Sequence, residues 1–323
     1  MGGVGATTSR SAVWTGQREF RIEAGPAPEP GPGQVRVRVH ACGVCMTEVH
    51  ALEGYFSIRT PPCVLGHEWA GVVDAVGPGV VSAAVGQPVA GAVLGGFAEH
   101  AVVPAERVVP VPEGVPLEAA CFVEPLACCL SAVETAGIPG GGAVLVTGCG
   151  PMGLMLLQLA RRAGASVLVS EPSAPRRALA GRLGAARTVD PTQESLADAV
   201  ASFTDGRGVS VALESAGSPA ALGDCVEALA EGGTAVVVGV APATARLDLP
   251  LYRFHRRNLT LRGSYGAPVG GGYAAAAALL GQLELLPLIS HRFDVADVAS
   301  AFEVARSGHG LKVVVGAGLG PGG

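Results

Sequence analysis

The run AVLVT, GCGPMG, LMLLQLARR over residues 143–162 constrains this chain more than any other segment. Four apolar residues and a threonine, enough for one buried strand, meet a turn with glycine at 148, 150 and 153, and an apolar helical stretch opens directly behind it. Glycine admits backbone conformations closed to other residues and lets a ligand approach the main chain. A helix that starts at such a turn aims unpaired N–H groups and the positive end of its dipole outward, which suits a phosphate. The alternation continues as SVLVS (166–170), a helix near 174–183, ARTVD (186–190), a helix near 193–202, VSVALES (209–215), a helix near 219–230 and TAVVVGV (234–240). Strands alternating with helices predict an α/β fold built on a parallel, doubly wound sheet.

Glycine is common here, 48 of 323 residues, so a GxGxxG string alone carries little weight. Its context supplies the weight. Gly148, Gly150 and Gly153 follow a strand and open a helix through Pro151 and Met152, and Glu171 closes the next strand. That is the pattern of a dinucleotide site, with the pyrophosphate on the turn and an acid accepting hydrogen bonds from the adenosine ribose. A carboxylate at 171 repels a 2′-phosphate and favours NAD over NADP, while Arg176 and Arg177 pull the other way because a nearby guanidinium can neutralise that phosphate.

The flanking regions differ. QVRVRV (34–39) alternates as a half-buried strand does, and 70–76, 88–94 and 97–103 are short Val/Ala runs broken by Gly and Pro, so this part predicts irregular β structure. FDVADVASAFEVARS (293–307) predicts one amphipathic helix ahead of a last strand, KVVV (312–315), and residues 1–10 are expected to be disordered. With 49% apolar and 15% charged residues the chain should fold, and a net charge of −5 without a basic tract excludes an electrostatic footprint for nucleic acid or anionic membrane. Mean hydropathy is +0.43, yet the long uncharged stretches are interrupted by Gly and Pro throughout, so no membrane span is expected. No secretory signal pattern opens the chain, and a cytoplasmic location is expected. Its positive charge is almost all arginine, with Lys312 the only lysine.

Two further segments concentrate chemistry: CGVCMTEVH (42–50) and GHE (66–68). Cys42-x-x-Cys45 has no second CxxC to complete a structural zinc site and lies outside the βαβ region where a redox dithiol would sit. The remaining cysteines stand in apolar contexts as small buried residues do.

Together, CGVCMTEVH, GHEWAGVVDAVGPGV (66–80), EPLACCL (124–130), VTGCGPMG, LRGSYG (261–266) and HRF (291–293) resemble the medium-chain dehydrogenase/reductase superfamily, specifically its zinc-dependent alcohol and polyol dehydrogenases of the sorbitol and threonine type. The resemblance implies a GroES-like, mainly β catalytic domain from residues 1–125 and 266–323, with a Rossmann NAD-binding domain, 126–265, inserted between them. It implies Cys45 and His67 as ligands of one catalytic zinc, with Glu68 as a ligand or exchanging with water, and with Glu124 at a position where polyol-type members carry glutamate. It further implies a proton relay from the substrate oxygen to Thr47, the nicotinamide ribose, His50 and solvent. Glu48 stands where an aspartate usually supports the zinc-bound histidine. Gly239, Val240 and Ser264 complete the cofactor-binding positions. The stretch 87–100 lacks the four-cysteine lobe of many relatives, so no structural zinc is expected. The implied reaction is hydride transfer between a secondary alcohol, such as a polyol, sugar or cyclitol, and NAD, the ketone being the partner in reverse, in a homodimer or homotetramer. A zinc-free quinone or enoyl reductase would leave Cys45, His67 and Glu124 without purpose, and a non-catalytic cofactor-binding protein would leave Thr47 and His50 so.

Overall fold

A computed structural model describes residues 7–55, 57–266 and 272–320. The chain divides into two compact units, Met1–Glu124 with Tyr273–Gly323, and Pro125–Gly272.

The first unit is mainly β. Its strands are β1 (Thr8–Gly16), β2 (Glu19–Pro26), β3 (Gln34–Gly43), β4 (Cys63–Val64), β5 (Glu68–Val76), β6 (Pro88–Gly91), β7 (His100–Pro104) and β8 (Val108–Pro110), with short helices α1 (Met46–Leu52) and α2 (Leu117–Ala120). Residues 8–10 are part of β1, paired to β2, which corrects the expectation of disorder there; residues 1–6 lie outside the described residues. The alternating segment at 34–39 extends to Gly43 because β3 is flanked by β5, β7 and the last strand of the chain, and it turns Val35, Val37, Val39 and Cys42 into a core with Trp69, Phe97 and Phe302. Arg36 is buried within this strand, where Asp74 and Glu29 accept its guanidinium.

The second unit contains helix α3 (Val123–Ala136) from Pro125 onward, then β9 (Ala143–Thr147), α4 (Pro151–Arg162), β10 (Ser166–Ser170), α5 (Ala174–Arg182), β11 (Arg187–Val189), α6 (Leu196–Thr204), β12 (Val209–Glu214), α7 (Pro219–Ala228), β13 (Leu229–Val237), α8 (Leu251–Arg256) and β14 (Thr260–Gly263). All six strands are parallel in the order β11-β10-β9-β12-β13-β14. Leu145, Leu168, Val189 and Ala212 from four of them pack under Val200 and Val226 of the covering helices.

The chain closes with α9 (Gly272–Leu279), β15 (Ile289–Phe293), α10 (Val298–Arg306) and β16 (Lys312–Val315). The single helix expected over 293–307 is corrected: Phe293 ends a strand, Val295–Asp297 forms a 3₁₀ turn, and the helix begins at Val298. The cause is Asp294, whose carboxylate accepts the N–H of Ala296 and pairs with the distant Arg10, fixing an extended residue inside the apolar pattern.

Candidate active site

Three neighbouring strands build the site in the first unit. β3 runs antiparallel between β5 and β16, with Gly43 opposite both Glu68 and Val314. The end of β3 therefore delivers Cys45, the start of β5 delivers His67 and Glu68, and the start of β16 delivers Lys312. A side chain on Gly43 would strike the Glu68 carboxylate and the Lys312 stem, so glycine is needed for this approach.

Cys45 caps the N-terminus of α1, whose third residue is Glu48. Glu48 is fully buried. Its Oε1 accepts the Gly66 N–H at 2.7 Å and lies 2.9 Å from His67 Nδ1, and its Oε2 accepts the Cys45 N–H at 3.3 Å. One carboxylate thus fixes the backbone at both Cys45 and Gly66 and orients the imidazole through Nδ1, so that the other ring nitrogen can serve as the ligand atom. Cys45, His67 and Glu68 each offer a ligand atom, all within 4.8 Å of one another. Among the described residues this is the group of His, Cys, Asp and Glu side chains that converges as a metal site would; Glu124, half-buried in the first turn of α3, is outside it.

Burial pushes the Cys45 thiol up. Burial opposes protonation of His67, but Glu48 and Cys45 overcome it and hold this imidazole far above its ordinary range. A borderline-soft divalent ion suits one thiolate, one imidazole and one carboxylate, and it would replace the protons held here. Lys312 is the residue that motif reading passed over. Its ammonium is buried, donates to Glu68 Oε2, and stands 5.8 Å from the centre of the Phe122 ring. Burial opposes its charge, and Glu68 more than compensates. The available signal was compositional: one lysine persists in a chain whose other basic residues are all arginine.

Thr47 and His50 lie on α1, half-buried. The His50 ring stacks on Tyr55 at 5.1 Å, burial lowers its pKa, and its buried Nδ1 has no hydrogen-bond partner.

In the second unit the glycine turn follows β9. Gly148 has φ +85°, and a Cβ on Gly153 would lie 1.9 Å from the Gly148 carbonyl oxygen and 2.7 Å from Ser215 Oγ, so neither position accepts a side chain. Gly150 caps α4, and Pro151 occupies its first turn, where the missing N–H is no loss. A Cβ on Gly150 would meet nothing within 4 Å, which leaves the helix N-terminus open to a ligand. Glu171 is buried, with Oε2 accepting the Cys149 N–H at 2.7 Å and Oε1 the Ser173 N–H at 2.8 Å. Arg177 is committed to the carbonyls of Glu171 and Pro172 and to Asp190. Arg176 is half-buried, Met152 lies in the first turn of α4, and Gly239, Val240 and Ser264 follow the ends of β13 and β14. These residues fit a dinucleotide: a clear helix N-terminus, two glycines that keep the turn tight, and a pre-positioned acceptor.

A GroES-like sheet unit with a thiol, imidazole and carboxylate cluster and a Rossmann unit, carried on one chain, are the parts of a zinc-dependent alcohol dehydrogenase. Comparison with known proteins agrees. Residues 31–113 match the alcohol dehydrogenase GroES-like domain, and residues 151–280 match the zinc-binding dehydrogenase family. L-threonine 3-dehydrogenase of Pyrococcus furiosus is 36% identical over 311 residues, 85% of this chain and 88% of the relative. A protein described as a zinc-binding dehydrogenase from Sinorhizobium meliloti, solved with NADP, is 31% identical with a TM-score of 0.90 over 96% of this chain and 99% of that one. The 2R,3R-butanediol dehydrogenase of Bacillus subtilis is 26% identical with a TM-score of 0.87 over 95% and 99%. The chain belongs to the zinc-binding alcohol dehydrogenases of the medium-chain dehydrogenase/reductase family, and it is a zinc-dependent oxidoreductase acting on CH–OH donors. No helix among the described residues is long and apolar enough to cross a membrane.

Proposed function

We propose that this chain oxidises a secondary hydroxyl flanked by polar groups, with NAD as the hydride acceptor and one metal ion per chain. The observation that carries this is the convergence of Cys45, His67 and Glu68 behind a histidine that Glu48 orients. When bound there, zinc supplies a Lewis acid that lowers the pKa of a substrate hydroxyl. Glu48 holds His67 in the tautomer that keeps Nε2 available. Thr47 accepts the hydroxyl proton and passes its own on, and His50, kept neutral by burial, carries the proton toward solvent. The unpartnered Nδ1 of His50 supports that role. Glu124 is assigned as an alternative ligand to Glu68, whose Oε2 already receives Lys312.

Preference for NAD follows from Glu171, whose carboxylate is fixed by two backbone N–H groups where a 2′-phosphate would stand, and from Arg177, already tied to carbonyls and Asp190. A single zinc follows from the stretch 87–100, which has no cysteine. We assign residues 1–125 and 266–323 to the catalytic domain and 126–265 to the cofactor domain. A homodimer or homotetramer in the cytoplasm completes the proposal, the free state of the cysteines among the described residues suiting a reducing compartment. The test is a dehydrogenase screen over L-threonine, 2,3-butanediol, sugars, polyols and cyclitols, with NAD and NADP each. Activity on one of these with NAD supports it. Turnover confined to quinones or enoyl substrates, unaffected by removal of metal, contradicts it.

A further inference from the structure

Glu214 ends β12 and is 1% exposed. Its Oε1 accepts the N–H groups of Gly217 at 2.7 Å and Ser218 at 3.4 Å, and its main-chain carbonyl accepts those of Val238 and Gly239, each at 2.8 Å. No cationic side chain pairs with it among the described residues. Burial pushes its pKa up, and the donors to the carboxyl work against that rise. Both hydrogen bonds to the carboxyl are donated to it, an arrangement that favours the carboxylate over the carboxylic acid.

The two loops that follow β12 and β13 are drawn onto this carboxylate. A Cβ on Gly217 would lie 2.6 Å from the Val240 carbonyl oxygen, and one on Gly239 would lie 2.2 Å from Gly217 N and 2.9 Å from Glu214 Oε2. Ser215 Oγ donates to the carbonyls of Thr147 at 2.8 Å and Gly148 at 3.0 Å, tying the same loop to the glycine turn. Since these N–H groups point inward, they are not available to bind an anion, and a carboxylate lies beneath the carboxyl ends of β12 and β13. The sheet order reverses between β9 and β12, which places a dinucleotide across the carboxyl ends of the strands. Glu171 after β10 marks the adenosine half, so the ends of β12 and β13 serve the nicotinamide half.

We infer that Glu214 is a positioning residue that favours the oxidised, cationic nicotinamide ring over the neutral reduced ring. This rests on the dehydrogenase reading above. Two features support it: the loops that meet the ring are organised by one buried carboxylate, and the charge of that carboxylate distinguishes the two redox states of the cofactor, binding the substrate form of the forward reaction more tightly than its product.

The test is direct binding of NAD⁺ and NADH to the full chain, wild type and Glu214→Gln, by calorimetry. The expected result is a loss of about tenfold in NAD⁺ affinity with NADH held within about twofold, since a single charge acting through partly polar surroundings has effects of this order. Equal weakening of both nucleotides would show a purely structural role and overturn the inference. If neither nucleotide binds the wild type, the dehydrogenase reading itself fails. Should the variant not fold, wild-type protein is titrated with benzamide adenine dinucleotide, whose planar ring matches NAD⁺ without its charge: binding about tenfold weaker than NAD⁺ supports the inference, and equal binding overturns it.

Discussion

The metal cluster and the dinucleotide turn are assembled in opposite ways. The turn is local: Gly148 to Glu171 are consecutive along β9, α4 and β10, and each contributes where the chain delivers it. The cluster is not. Cys45, His67, Glu68 and Lys312 come from three segments, and Lys312 reaches Glu68 across 244 positions of sequence because β16 and β5 both pair with β3. A local site depends on the conformation of a few backbone residues, whereas a non-local one depends on strand register and on buried groups that hold each other. Damage to the two should therefore look different.

The largest effects belong to residues with no substitute. His67→Ala or Cys45→Ser should abolish alcohol oxidation and metal binding while leaving NAD binding in place, whereas Gly153→Ala should abolish NAD binding and leave metal content in place, because its Cβ would strike the Gly148 carbonyl. Metal analysis and nucleotide titration of each variant separate these outcomes. Loss of both ligands in either variant would show that the two sites do not fail independently. Cys42→Ala should retain metal, since this thiol is fully buried against Gly66 and Gly96 and lies outside the converging group.

Next in size are the residues proposed to position or relay. Glu48→Gln should weaken zinc by about 10–100-fold, the usual cost of losing the group that orients a histidine ligand, measured by competition with a chelator. Thr47→Ala should slow alcohol oxidation more than His50→Gln, with the latter near the low end of the ~10²–10⁴-fold typical of acid–base groups and rescued by small bases. Equal and full single-turnover rates in both would remove them from the proton path. Smaller still is the pH effect on metal uptake. Cys45 and His67 both hold their protons above pH 8, so zinc affinity should rise steadily with pH across the range from about 6 to about 8, each step in pH weakening the competing protons without removing them. A flat profile would mean that neither proton is displaced. Glu171→Ala should raise NADP use relative to NAD, and an unchanged ratio of kcat/KM values would show that this carboxylate does not choose the cofactor.

This contrast also explains what the amino-acid sequence disclosed. The parallel sheet was legible because its signals are local: apolar runs, glycine turns and intervening helical patterns predicted β9, β10 and their order in sequence to within a residue or two. Asp294 escaped because its side chain breaks an apolar periodicity from within, through bonds to Ala296 and Arg10. Cys45 and His67 were approachable through resemblance, since periodicity says nothing about which loops meet across a sheet. Lys312 and Glu214 were missed for the same reason. Each is a charged residue at a strand end whose partners are fixed by tertiary pairing, and nothing adjacent in sequence marks either one.

The central claim is that one metal ion, held by Cys45, His67 and Glu68, serves alcohol oxidation in this chain. Elemental analysis of purified wild type and His67→Ala, each shown to bind NAD, tests it most directly. The account predicts close to one zinc per wild-type chain and almost none in the variant. Two tightly held zinc ions per wild-type chain, or a full complement retained by His67→Ala, would contradict it.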